Sequence, residues 1–405
     1  MPLDEALASL LAKALPVLGS ESVSTFDADG RVLAQDVVSA LTVPPRDNSA
    51  MDGYAVRMAD CAAPGAVLAV SQRIPAGSVG GPLAAGTAAR IFTGAPIPEG
   101  ADAVVMQEDT TALPEEGSLG GIQVDLAPAV GQWIRRAGED VAAGDVVLAR
   151  GERLTPAALG LAASVGFDRL QVARRPRVAL LSTGDELVMP GEVAPGAMKP
   201  GAIYNSNRFF MRALLHRLGC EVNDLGIVPD NREATIKALR GAAEASDLII
   251  TTGGVSVGEE DHIKAAVQAL GELQLWSLSM KPGKPFAYGR IGSTHVTGLP
   301  GNPVSSFLTF LLLVRPFLLT LQGATRVAPQ PIAVRADFDW PRADRRREFL
   351  RARRNAAGGL DLFGNQSSGV LTSTVWGDGM IDTPAGQAFK AGDLVQFISF
   401  ASLLA

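Results

Sequence analysis

Cysteine is scarce in this chain. Only Cys61 and Cys220 occur among 405 residues, far apart in sequence. That argues against a disulfide framework or a zinc ribbon and suits a reducing cytosol. Histidine is nearly as scarce: His216, His262 and His295 show no metal-ligand spacing and are read as structural. No G-x-x-x-x-G-K-[ST] phosphate loop is present, and no G-x-G-x-x-G follows the first strand. No Ser/His/Asp or Cys/His nucleophile set can be assembled, which favours positioning and electrostatics over covalent catalysis. A basic excess is missing too. A net charge of −6 and a pI of about 5.3 argue against a nucleic-acid partner. The N-terminal "MPLDEALASLLAKALPVLG" carries acids early and lacks a basic leader, so it reads as an amphipathic helix rather than a signal peptide. The most apolar run, "VSSFLTFLLLVRPFLLTL", is interrupted by Arg315 and Pro316 and reads as a buried helix rather than a membrane span. No sustained repeat, coiled coil or low-complexity tail is visible.

What is present is a change of character along the chain. Residues 20–45 alternate like a strand and end at Pro44-Pro45. To about residue 140, short alternating runs and Gly/Pro turns predict a β-rich module. "LTPAALGLAASVGF" predicts a helix, with Thr155 as N-cap, Pro156 in the first turn and Gly166 past its end. Residues 176–325 alternate strand and helix, which predicts a parallel sheet covered on both faces. After residue 326 short alternating runs return and predict a small β-barrel or sheet module. The fold class is therefore multidomain: a central parallel-sheet α/β domain with flanking β-rich modules and a C-terminal barrel-like domain.

Three predicted strand ends carry unusual loops: "LLSTGDEL", "IITTGGVSVGEED" and "VTGLPGNPVSS". Ligands bind at the carboxyl ends of strands in open α/β sheets. Glycines admit close backbone approach, helix N-termini add positive charge, and Ser256, Ser305 and Ser306 add donors. Together the loops point to one shared anion pocket. Against that, "GEED" brings carboxylates. Glu259 and Glu260 are explained by a helix dipole. Asp185, Glu186, Asp230 and Asp261 each lie just past a strand or at a helix start, where Mg²⁺ would join them to substrate phosphates. In "MKPGKP", Lys281 and Lys284 stand on a proline-stiffened loop and can hold an oxyanion as point charges, unless they are simply solvated. "PRADRRREFLRARR" reads either as a solvated edge strand or as an anion-facing wall, with "GNQSSGVLTS" adding hydroxyl donors. Asp52, in "DNSAMDGYAV", and Thr93, in "FTGAPIPEGAD", are presented by tight turns.

These segments, in this order and spanning the whole chain, resemble the MoeA family of molybdopterin molybdenumtransferases. The resemblance implies a four-part, elongated, cytoplasmic subunit that forms a homodimer. Its parts would be 1–45 with 140–175, then 46–139, 176–325 and 326–405. It implies that adenylylated molybdopterin and molybdate are converted to molybdenum cofactor and AMP with Mg²⁺. The acids and the glycine loops would then share one ligand, a pyrophosphate with its metal. By motif, Thr183, Gly184, Asp185, Glu186, Gly253, Gly254, Ser256 and Asp261 would line the nucleotide and pterin site. Gly298, Pro300, Gly301, Asn302, Pro303 and Ser305 would form its third loop. Glu186, Asp230 and Asp261 would serve Mg²⁺, and Lys281 and Lys284 would hold molybdate. Arg351 and Ser368 would help from the last module. Asp52 and Thr93 would reach the site from the partner subunit. Transient partners would be the adenylylating enzyme and molybdoenzyme chaperones.

The sequence departs from the family at two places. Some relatives carry another lysine shortly before Lys281, where this chain has Ser277 and Ser279, and a proline is expected near Asn365. Two other readings compete. The pathway's adenylyltransferase shares the α/β domain but lacks the flanking modules, and a non-catalytic scaffold would need a linker or partner domain that is not visible. Molybdate and tungstate are too alike for the sequence to separate.

Overall fold

The computed structural model describes residues 1–14, 18–254 and 262–404. The chain divides into two compact units, one of residues 1–35, 150–155 and 169–405, the other of residues 36–149 and 156–168.

The larger unit is built on a six-stranded sheet. Its order is Glu221–Val228, Arg177–Thr183, Leu248–Thr252, Thr294–Leu299, Pro285–Ile291, Glu272–Ser277. The first four strands are parallel. Successive side chains point to opposite faces, and both faces are covered. Val178, Leu180, Leu248 and Ile250 join a core shared with the helix Asn207–Arg217. Ala179, Leu181 and Ile249 join a second core with the helices Arg232–Ala245 and His262–Leu270. Local signals set the helix ends. The Asn231 side chain accepts from the Ala234 N–H at 2.9 Å, and Gly219, at φ 75, closes the helix Asn207–Arg217.

The expectation of a purely parallel sheet needs correction at the other edge. Gly292 and Ser293 join Pro285–Ile291 to Thr294–Leu299 as a hairpin, with Gly292 at φ 59. Two residues are too few for a parallel crossover, so these strands run antiparallel. Glu272–Ser277 adds antiparallel to the same hairpin.

The helix Pro303–Leu321 has a mean hydropathy of 1.9 and is long enough to cross a bilayer, yet 89 % of that window is buried inside the protein. It is a core helix, as its Arg-Pro interruption suggests. Arg315 stays within it by donating to the carbonyls of Leu403 (2.7 Å) and Val327 (3.1 Å), and burial brings its pKa down to about 10. The helix Leu3–Leu11 buries Leu3, Ala6 and Leu10 in the same core.

The C-terminal segment forms a second sheet. Arg347–Arg354, Gly379–Thr383, Leu394–Ser399 and Ile332–Arg335 lie in that order, with Leu360–Leu362 paired to the outer side of Arg347–Arg354. The sheet curls. Ala336 bridges Leu360, and the Asp337 N–H donates to the Leu360 carbonyl at 3.1 Å. The short strand Met280–Lys281 pairs in parallel with Arg347–Arg354, which ties the "MKPGKP" loop to this sheet.

The smaller unit holds a six-stranded sheet in the order Ala103–Met106, Gly53–Val56, Thr87–Ile91, Ala66–Ile74, Gly121–Val124, Thr110–Leu113. A Cβ at Gly53 would lie 2.0 Å from the Val105 carbonyl oxygen, so only glycine fits there. The helix Pro156–Ser164 opens on its proline, and Gly166 follows at φ 92.

Asp247 anchors the sheet's third strand. It accepts from both terminal nitrogens of Arg174 at 2.7 Å and from the Arg177 N–H at 2.8 Å. Burial raises its pKa, but those donors outweigh burial and bring it to about 2. A depressed carboxylate stabilises above its unfolded pKa and loses that contribution as pH falls through the folded value. Asp247→Asn should therefore cost about 2–3 kcal/mol at neutral pH. The cost should fade between pH 4 and 2, read as the gap in thermal midpoint between the two proteins.

Candidate functional site

A cavity of about 600 Å³ opens at the carboxyl ends of Arg177–Thr183, Leu248–Thr252 and Thr294–Leu299. Thr183 and Glu186 line it from the first turn, and Gly253 and Gly254 from the second. Pro300, Gly301, Asn302, Pro303 and Ser305 line it from the third. The glycines let the turns meet. A Cβ on Gly253, at φ 91, would stand 3.0 Å from the Thr183 carbonyl oxygen, and one on Gly254, at φ 65, would stand 2.7 Å from Ile263 Cγ1. The Gly253 N–H donates to the Leu299 carbonyl at 3.1 Å. The space is therefore bounded by backbone and by the start of the helix Pro303–Leu321, a setting suited to anions.

A fourth wall was not legible in the sequence. Tyr204, Asn205, Ser206 and Asn207 line the cavity ahead of the helix Asn207–Arg217. Ile203 N–H donates to the Glu186 carbonyl (2.8 Å) and Asn205 N–H to the Val188 carbonyl (3.0 Å), which holds this wall against the first turn. Asn207 Nδ2 donates to the Gly301 carbonyl at 2.8 Å and ties it to the third.

The other expected residues are placed differently. Gly184 and Asp185 belong to the first turn but do not line the cavity, and Gly298 is buried inside its strand opposite Thr251. Asp230 is half-buried beyond Val228 and off the lining. Ser256 and Asp261 lie outside the described residues. Among the described residues, Glu186 is the one carboxylate on the lining, and no three His, Cys, Asp or Glu side chains gather for a metal. That donor set is too small for a resident metal cage. It fits Mg²⁺ arriving with phosphate oxygens, which needs one or two protein carboxylates.

Lys281 and Lys284 are both off the lining, although the next residue, Pro285, is on it. Lys281 Nζ lies 2.9 Å from Glu348 Oε1 and 3.3 Å from Asp344 Oδ2. Its pKa is raised, chiefly by the hydrogen bond to Glu348. Lys284 is exposed and makes no ion pair among the described residues. The arginine-rich segment is partly engaged: Arg342, Arg345 and Arg354 are exposed, and the others have partners. Arg346 pairs with Asp344, Arg347 with Asp382 and Asp4, and Arg353 with Asp361. Arg351 is 1 % exposed and donates inward to the Phe349 carbonyl (2.9 Å) and Ser373 Oγ (3.2 Å). Burial brings its pKa down to about 10. Ser368 is half-buried, its carbonyl accepts from the Val304 N–H at 3.0 Å, and its neighbour Gly369 lines the cavity.

In the smaller unit, Asp52 and Thr93 meet. Asp52 Oδ1 accepts from both the N–H and the hydroxyl of Thr93 at 2.8 Å, and these bonds lower its pKa. Both side chains are exposed.

Residues 1–166 match the MoeA N-terminal region (domain I and II), 179–320 a probable molybdopterin binding domain, and 333–400 the MoeA C-terminal region (domain IV). The chain is 44 % identical over 333 residues to a molybdopterin molybdenumtransferase of Haemophilus influenzae, covering 80 % of this chain and 78 % of that protein. It belongs to the MoeA family. A second family member, molybdopterin molybdenumtransferase 2 of Mycobacterium tuberculosis, is 38 % identical over 90 % of each chain. A crystal structure of a molybdopterin biosynthesis MoeA protein from Pyrococcus horikoshii superposes with a TM-score of 0.84 at 30 % identity, covering 99 % of this chain and 100 % of that one. The MoeA fold, with mixed sheets and a curled C-terminal sheet, is therefore the architecture of this chain.

The Lys281–Glu348 pair gives a direct test. Glu348 is 2 % exposed, and its other oxygen accepts from Trp340 Nε1 at 3.0 Å. Lys281→Met leaves that carboxylate buried without its cation and should cost roughly 1–3 kcal/mol. Adding Glu348→Gln should restore part of the loss, because the amide oxygen still serves Trp340. A lysine raised by a partner stabilises below its unfolded pKa, so the gap should persist at neutral pH and close only above 10.5. Equal thermal midpoints for Lys281→Met and wild type at neutral pH would overturn this.

Proposed function

We propose that this chain inserts molybdenum from molybdate into adenylylated molybdopterin, giving molybdenum cofactor and AMP with the help of Mg²⁺. The observation that carries the reading is the backbone-lined cavity at the ends of three parallel strands, in a chain of the MoeA family. The pyrophosphate would lie along Gly253, Gly254 and Gly301. The start of the helix Pro303–Leu321 would offset charge there, with no cationic side chain among the described lining residues. Glu186, with Asp261, would hold the Mg²⁺ that the pyrophosphate carries, and bound Mg²⁺ supplies charge neutralisation at the phosphates.

Molybdate and the pyrophosphate repel one another, so their meeting requires fixed positive charge. Lys284 is the ammonium of the "MKPGKP" loop that makes no ion pair among the described residues, and Lys281 would be held ready beside it by Glu348 and Asp344. Preorganised charges of this kind are worth several kcal/mol, about 3 for a single well-placed group. The dithiolene sulfurs receive the metal, and departure of AMP draws the reaction forward. We further read the chain as four modules, with residues 326–405 a small barrel closed at the Ala336–Leu360 bridge. In the cytosol it would act as a homodimer in which Asp52 and Thr93 complete the partner's site. Handover to other proteins of the pathway would follow product release.

The purified protein, given adenylylated molybdopterin, Mg²⁺ and molybdate, should release AMP in a molybdate-dependent manner. Lys284→Ala should raise the molybdate concentration for half-maximal rate by roughly tenfold, with pterin affinity little changed. AMP release that ignores molybdate would sink the insertase reading; an unchanged molybdate dependence in the variant would sink the lysine's role. The shared site has its own check. Mixing Asp52→Ala and Lys284→Ala proteins at limiting molybdate, where each alone is impaired, should raise activity above the sum of the two if the residues serve one site from different subunits, and should give only that sum if each subunit is self-contained.

A further inference from the structure

Two buried polar atoms of residues on the cavity's fourth wall have no hydrogen-bond partner among the described residues. Nδ2 of Asn205 and Oδ1 of Asn207 are both buried without a hydrogen-bond partner. Asn205 is 2 % exposed and Asn207 is 8 % exposed. The opposite end of each amide is in use, which fixes how each one faces. Asn205 Oδ1 accepts from the Arg208 N–H at 3.2 Å, and Asn207 Nδ2 donates to the Gly301 carbonyl at 2.8 Å. Buried polar side-chain atoms nearly always have partners, so two orphans on one cavity wall mark a place where a ligand supplies the missing bonds.

The orphans also restrict that ligand. One is a donor and the other an acceptor. A phosphate offers only acceptors and can answer Asn205 alone. An aliphatic group answers neither. The ligand edge that answers both presents an acceptor next to a donor, as a nitrogen heterocycle does. The wall continues into an apolar recess of about 470 Å³ that shares Tyr204, Asn205 and Ser206 with the cavity. Phe209, Phe210 and Phe307 line it, with Phe210 edge-on to Phe307 at 5.7 Å. A flat ring therefore has apolar surface beside the two amides.

We propose that Asn205 and Asn207 select the pterin ring of the substrate by its amide edge. Asn205 Nδ2 donates to the 4-oxo group, and Asn207 Oδ1 accepts from the adjacent ring N–H. The ring then sits at the Tyr204–Asn207 wall, and its phosphate chain runs toward Gly253 and Gly301. This rests on the substrate reading given above and goes further by naming the residues that choose the ring.

Asn205→Asp is the informative variant. It keeps the oxygen that serves the Arg208 N–H and turns the orphan donor into an acceptor. The probes are 6-hydroxymethylpterin diphosphate and its 2,4-diamino counterpart, in which the 4-oxo acceptor becomes an amino donor. Binding is read by pterin fluorescence, with thermal midpoints confirming that the variant is folded. Wild type should favour the 4-oxo probe by roughly tenfold, and Asn205→Asp should abolish or reverse that preference. A parallel loss for both probes, or an unchanged ratio, overturns the proposal, because added charge or a structural role moves both ligands alike. A change in AMP against IMP affinity, with the pterin ratio constant, would assign the amides to the adenine instead and also overturn it. Wild-type protein that binds neither pterin diphosphate nor AMP defeats the substrate reading itself, whereas tight 4-oxo binding indifferent to Asn205 defeats only this inference.

Discussion

The site depends on backbone meeting backbone at the carboxyl end of one sheet. Gly253 stands so close to the Thr183 carbonyl that a side chain would force the first and second turns apart. The same residue donates to the Leu299 carbonyl, which draws in the third turn. With few side chains at this junction, the start of the helix Pro303–Leu321 sets much of its electrostatic character. The anion site proposed here would thus be made by what three turns lack. The parallel core strands set the spacing of those turns, and two hydrophobic cores clamp the strands from opposite faces.

Charged side chains play a different part. Most cations of the arginine-rich segment are engaged inside the C-terminal sheet, and Arg351 is enclosed altogether. Lys281 joins this network across the Met280–Lys281 pairing with Arg347–Glu348. A lysine held by a buried carboxylate loses its rotamer freedom on folding rather than on ligand arrival. The loop is thereby rigid on one side and open at Lys284. On the proposed function, anion recognition would be divided between uncharged backbone in the cavity and an ammonium at its margin.

Features set by local chemistry were legible in the sequence. Glycine-rich strand ends, the Asn231 cap, the Gly219 stop and the Arg-Pro break in the apolar helix each depend on residues a few positions apart. Features set by distant partners were not. The Glu348 partner of Lys281 lies far along the chain, and nothing in "MKPGKP" announces it. Arg351 reads as a surface cation in a basic string, yet its strand position turns it inward. Asn205 and Asn207 were missed because polar residues ahead of a helix ordinarily read as caps. Only the carbonyl of Gly301 and the lack of a hydrogen-bond partner for their remaining atoms among the described residues distinguish them. The hairpin at Gly292-Ser293 was passed over inside an alternating α/β pattern.

The long apolar helix has a consequence for how the chain is made. Pro303–Leu321 shares its core with Leu3, Ala6 and Leu10 from the first helix and with Phe400 and Leu403 near the end. Its one internal cation, Arg315, leans on the Leu403 carbonyl. During vectorial synthesis the first helix therefore emerges long before its packing partner, and the partner emerges before the residues that seal its arginine. A segment greasy enough for a bilayer is completely covered only once residues as many as 88 positions beyond Arg315 have joined it. Until both distant segments are in place, Pro303–Leu321 is the kind of exposed apolar surface that makes folding intermediates aggregation-prone.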